Sequence, residues 1–136
     1  MKNTNDISYV LRLLPDSDLR LSIENFVKEH KIAAGWIATC VGSLSAWSIR
    51  FANQKNSAAA VGHFEIISPT GTLSLNCCHL HISIADRAGN VIGGHLVHGC
   101  KIYTTAEIIL VQSARYVSTR EQDDSTGWKE LIVRKK

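Results

Sequence analysis

No apolar run in the chain approaches the roughly 18 residues that a membrane-spanning helix requires. The opening residues, Met1-Lys2-Asn3-Thr4-Asn5-Asp6, lack the basic-then-apolar pattern of a secretory leader. Both absences point to a cytoplasmic protein with no membrane partner. In that reducing compartment Cys40, Cys77, Cys78 and Cys100 are expected as thiols. They are not spaced as CxxC pairs and form no zinc-ribbon pattern. Charge of one sign is scarce as well. Fifteen Lys and Arg against twelve Asp and Glu leave a formal charge of +3, scattered rather than gathered into a nucleic-acid stripe. The sequence also lacks a serine nucleophile elbow, a phosphate-binding glycine loop and a dinucleotide fingerprint.

What is present suits one ordinary globular domain. The chain has 136 residues, 45% of them hydrophobic and 20% charged, enough to bury a core without disulfide staples. No repeat or linker divides it, so residues 1–136 read as one domain with its core at about 8–112 and a C-terminal tail at 113–136. The closing Arg134-Lys135-Lys136 reads as a solvated, frayed end. Ile7 to Leu14 is a strand candidate stopped by Pro15. Asp16, Ser17 and Asp18 are good helix N-cap residues, and Leu19, Ile23, Phe26 and Val27 then recur at helical spacing. His30 fits the end of that helix as a cation.

The remainder reads as strands: Ile32 to Val41 ending at Gly42, Trp47 to Phe51, Val61 to Ile67 stopped by Ser68-Pro69-Thr70-Gly71, Leu73 to Ala85, Val91 to His98 and Lys101 to Gln112. A short helix at Ala106-Glu107 stays open. Trp36 and Trp47 are expected in the core, with Trp128 at core or subunit contacts. The expected class is α+β, an antiparallel sheet or half-barrel with one main helix packed on it.

The chemistry concentrates in His79-Leu80-His81-Ile82-Ser83-Ile84-Ala85, Asp86-Arg87-Ala88-Gly89-Asn90 and Val91-Ile92-Gly93-Gly94-His95-Leu96. The middle segment is a hairpin turn between two apolar runs. Strand alternation puts His79 and His81 on one face and Leu80, Ile82 and Ile84 on the other. With residues 86–90 as the loop, Ala85 pairs with Val91, Ile84 with Ile92, Ser83 with Gly93, His81 with His95 and Leu80 with Leu96. Directly opposed residues share a face, and a slip of one residue would send His95 to the other side. Three converging imidazoles with open space beside them suit a divalent metal, above all Zn²⁺ with its fourth position left for water or substrate. Other borderline divalent ions would be accepted too. Glu65 and Glu107 are the candidate carboxylates to orient a ring, and Cys77 shares the histidine face as a further ligand or a plain thiol. His98 falls on the opposite strand face, and His63 has no evident partner.

Gly62-His63-Phe64-Glu65-Ile66-Ile67-Ser68, His79-Leu80-His81, Gly93-Gly94-His95-Leu96 and Thr104-Thr105-Ala106-Glu107-Ile108-Ile109-Leu110 together resemble the PPC domain shared by plants and prokaryotes. Tyr9-Val10-Leu11-Arg12-Leu13 and Gly42-Ser43-Leu44 add to the likeness, which covers most of residues 8 to 112. The resemblance implies an antiparallel sheet with a packed helix, a homotrimer, and a metal site carried over onto His79, His81 and His95. Prokaryotic members are often described as DNA-binding, a description drawn from plant members that join this domain to AT-hooks. This chain has neither the Arg-Gly-Arg-Pro-like core of an AT-hook nor a helix-turn-helix, and its mild charge predicts little phosphate neutralisation.

Two functions follow as expectations. One is a regulatory module, a trimer that associates with DNA or another protein while the metal holds structure. The other is a metal-dependent hydrolase, with zinc lowering the pKa of bound water to about 7, Glu65 or Glu107 as general base, and Ser43 or Thr105 positioning substrate. A small-molecule ligand fits either, and whether the chain is an enzyme stays open at this point.

Overall fold

The computed structural model describes residues 5–136; residues 1–4, read above for a leader pattern, lie outside this range. In chain order the elements are β1 (Ile7–Leu13), α1 (Leu19–Glu29), β2 (Gly35–Arg50), β3 (Ala58–Leu73), β4 (His79–Ala85), β5 (Val91–Leu96), β6 (Lys101–Gln112), β7 (Tyr116–Asp123) and β8 (Trp128–Lys135). Six strands form one antiparallel sheet in the order β1-β6-β2-β3-β4-β5. The far end of β2 turns back to pair with β5, Ile49 opposite Leu96 and Arg50 opposite His95. That last seam curls β2 to β5 into a small barrel, while β7 and β8 form a separate ribbon. No helix among the described residues is long and apolar enough to cross a membrane.

The helix starts where the sequence places it. Asp18 is the N-cap, its carboxylate accepting from the Leu21 N–H, which satisfies one of the donors left free at a helix start. Leu19, Ile23 and Val27 are buried and pack with Leu44, Ile49, Leu80, Ile84, Ile102 and Leu110 in one core. At the other end His30 caps the helix and stacks on Phe26 with ring centroids 3.8 Å apart.

Several expectations change. The two strands read on either side of Gly42 are one strand, β2, which runs through Gly42-Ser43-Leu44. Gly42 is there for close approach, because a Cβ would run into the Thr105 carbonyl oxygen of β6. Pro69 does not end β3 either. It sits where β3 pairs with β4 but not with β2, so the missing N–H costs no ladder bond on that side. Ala106 and Glu107 lie within β6 and not in a helix. Trp36 is 40% exposed, whereas Trp47 is in the core as expected. The segment 113–136 is not a tail but the β7–β8 ribbon. It is tied to the barrel by the Ser118 N–H donating to the Ala33 carbonyl at 2.9 Å and by a reciprocal amide pair between Asn76 and the Arg120 backbone. Its last residues are held too, Arg134 to Glu121 at 3.3 Å and Lys136 to the Ser113 carbonyl at 2.9 Å.

Candidate metal centre

The β4–β5 hairpin fixes the site. Asp86 accepts from the backbone N–H groups of Ala88 and Asn90, and Gly89 takes a left-handed φ of 82°, which closes the turn in one register. That register places Ala85 opposite Val91, Ile84 opposite Ile92, Ser83 opposite Gly93 and His81 opposite His95. Leu80 and Leu96 lie just past His81 and His95 and are buried beneath them. The alternation therefore sends apolar side chains inward and imidazoles outward from the same hairpin.

His79, His81 and His95 converge. One ring nitrogen from each lies within 4.8 Å of the others, and His81 Nε2 approaches His95 Nδ1 at 3.1 Å. Among the described residues, no carboxylate is hydrogen-bonded to any of the three rings. The Arg120 Nη2 group donates to His79 Nδ1 at 2.9 Å, delivered there by the ribbon. Burial pushes the His79 pKa down, helped by Arg120 and His81 and opposed by Glu130. Burial also pushes down His95, aided by Arg50 and the other two histidines.

Both shifts favour the neutral, ligating form of these two rings. The donor set of three imidazoles on one face, half open to solvent, fits a divalent ion such as zinc. The depressed pKa values also set a pH dependence. Below the unfolded value of about 6.5 the unfolded chain takes up protons before the folded one does. Stability of the metal-free protein is therefore expected to fall as pH drops from that point through the lowered folded values. Thermal melts between pH 7.5 and 5, compared with a His79→Gln, His95→Gln double variant whose slope is flatter, check this.

Beside the histidines lies a cavity of about 660 Å³, lined among others by Arg50, His79, His95, Arg120, Trp128 and Glu130. The expected carboxylates are elsewhere. Glu65 lies opposite Ala85, four positions along β4 from His81 and so about 13 Å away at the usual strand rise. Glu107 is exposed on β6 opposite Val41 and Arg12. Within one chain the strand register sets both away from the three rings. Ser43 is buried and hydrogen-bonded to Thr104 at 2.9 Å, in a second hollow of about 310 Å³ with Glu65, His63 and Tyr103. His63 stacks on Tyr103 there. Thr105 instead accepts from Arg12 at 3.1 Å.

Cys77 lines the large cavity, its thiol donating to the Cys78 carbonyl, and does not join the cluster of possible ligands. His98 is 60% exposed and bonded to Glu24 at 2.8 Å. The residues missed in the sequence are Arg50, Arg120, Trp128, Lys129 and Glu130. The signal that finds the last four is the turn-forming run Asp123-Asp124-Ser125-Thr126-Gly127, whose composition marks a hairpin.

The sequence profile of the Plants and Prokaryotes Conserved (PCC) domain, also written PPC, matches residues 2–114. The chain is 42% identical over 127 residues to the bifunctional protein GlmU of Synechococcus sp. (strain JA-3-3Ab), covering 93% of this chain but 20% of that protein. It thus spans about one fifth of that relative's length. Among solved structures it is similar to a hypothetical protein from Salmonella enterica, with a TM-score of 0.94 and 34% identity over 97% of this chain and 96% of that one. A metal-containing protein from Archaeoglobus fulgidus superposes with a TM-score of 0.79 at 25% identity, covering 93% of each chain. Because that profile covers residues 2–114 of the 136, this chain belongs to the Plants and Prokaryotes Conserved domain family.

Proposed function

We propose that the chain holds one divalent ion, zinc by its ligand set, on His79, His81 and His95, and that the ion serves chemistry or ligand binding rather than structure. The observation that carries this is the place of the histidines. They stand outside the core, His79 and His95 on the wall of an open cavity, and three ligands leave a coordination position free. A structural site would be closed by a fourth ligand. An ion held there supplies Lewis acidity and an activated water. Glu130, in the cavity wall and accepting from Thr126 Oγ1 at 2.9 Å, is the carboxylate placed to take a proton. The reading is therefore a metal-dependent hydrolase acting on a small molecule. The metal-containing relative from Archaeoglobus fulgidus supports the metal half of it.

The test is a panel of ester and phosphoester substrates with zinc-loaded, chelator-stripped and Glu130→Gln protein. Turnover that needs both zinc and Glu130 supports the reading; a zinc-loaded protein silent across the panel argues for ligand binding without hydrolysis. The exposed apolar side chains Val10, Val41, Val61 and Ile67 support contacts between copies, and the family likeness makes the homotrimer the assembly to test. The regulatory reading, association with DNA, rests on the family likeness. It predicts affinity falling steeply with salt, measurable in the same preparation, whereas the mild net charge of +3 favours weak binding.

A further inference from the structure

The Arg120–His79 contact and a metal ion need the same electron pair. A guanidinium only donates, so His79 Nδ1 accepts from Arg120 Nη2. A neutral imidazole has a single free lone pair. If the ion binds at Nδ1, it replaces the guanidinium directly. If it binds at Nε2, the ring proton moves to Nδ1 and two donors face each other. Either way the contact breaks.

We infer that metal loading releases Arg120 from His79, and that the freed guanidinium turns the adjoining cavity into a site for the carboxylate or phosphate group of a small molecule. The inference rests on the proposed metal site. Arg120 keeps its Nη1 bond to the Lys129 carbonyl at 2.9 Å, so it stays in place after release. Its Nε is already buried without a partner among the described residues. Nε and Nη2 form one edge of the guanidinium fork, and once Nη2 leaves His79 that whole edge lacks an acceptor. An oxyanion fills it bidentately.

The surroundings agree in sign. Arg50, which lies opposite His95 and spends Nη1 on the Gln54 carbonyl, and Lys129 line the same cavity. Arg20 also lines it but is already committed, to Glu24 and to the Leu96 and Cys78 carbonyls. Glu130 is the one carboxylate in the described wall. The cavity volume of about 660 Å³ falls within the range that takes small-molecule ligands, and Trp128 and Val97 offer apolar wall to the body of such a ligand.

The test titrates inorganic phosphate and, separately, acetate into metal-free and zinc-loaded full-length protein by calorimetry. One or both anions are expected to bind the zinc-loaded protein more tightly by roughly 5–150-fold, the usual range of coupling between sites, and to raise zinc affinity by the same factor. The anion that responds identifies the group. Because zinc itself attracts anions, Arg120→Gln is the deciding arm. It is expected to weaken anion binding to the zinc-loaded protein by roughly 10-fold or more, while zinc affinity stays level or rises. Arg120→Lys, keeping charge without the fork, is expected to recover part of the loss. Wild-type protein that binds no zinc overturns the metal site and this inference together. Wild-type protein that binds zinc, with anion affinity indifferent to zinc or to Arg120→Gln, overturns the inference alone, as does a loss of zinc affinity in Arg120→Gln.

Discussion

Gly94→Ala is expected to destabilise the protein by about 1–3 kcal/mol, the cost of overpacking a filled site, and to weaken metal binding at the same time. The reason is local. A Cβ on Gly94 would lie 2.6 Å from the Arg50 carbonyl oxygen and 3.0 Å from Ile49 Cγ2. Both neighbours belong to the end of β2, where Ile49 and Arg50 pair with Leu96 and His95. Backbone cannot move aside as a flexible side chain can, so β5 must lift from β2. His95 lifts with it, away from His81. Gly89→Ala is the matched control. It also adds a methyl to a glycine of this hairpin, but nothing lies within 4 Å and the cost comes from its φ of 82°, about 1–2 kcal/mol. That variant is expected to melt earlier yet bind metal normally. Thermal melts and zinc titrations of the two variants separate barrel closure from general loss of stability.

His81→Ala is expected to lower zinc affinity by more than about 100-fold, since even residues that merely orient ligands cost 10–100-fold. Stability of the metal-free protein should stay within about 0.5 kcal/mol, as for other surface substitutions, because His81 points outward from β4 and is exposed. Loss of metal without loss of fold is the mark of a ligand. His98→Ala should do neither, because its partner is Glu24 on the helix. The contrast between two exposed histidines tests geometry and not composition.

How much of this was legible in the sequence depends on the range of the signal. The hairpin was readable because its information is local. A turn of Asp, Gly and Asn between alternating runs sets the register, and the register alone brings His81 opposite His95. The start of α1 at Asp18 was readable for the same reason. Gly42 and Pro69 misled because they usually end strands, and only the neighbouring strands reveal their use. Gly42 admits the backbone of β6, and Pro69 falls in a gap of the β2–β3 ladder.

The expected carboxylate beside the histidines failed on long-range grounds. Glu65 is on the neighbouring strand, but the β3–β4 register sets it well along from His81. Arg120, which does meet His79, lies 41 residues away in sequence. It arrives through the Asn76 amide pair, which no periodicity encodes.

Elemental analysis of untagged protein purified without chelator, beside His81→Ala, tests the central claim most directly. The account predicts about one zinc per chain in the native protein, the stoichiometry of a single three-histidine site, and none in the variant. A native protein that is folded, binds no divalent metal on dialysis against zinc, and matches the variant would contradict it.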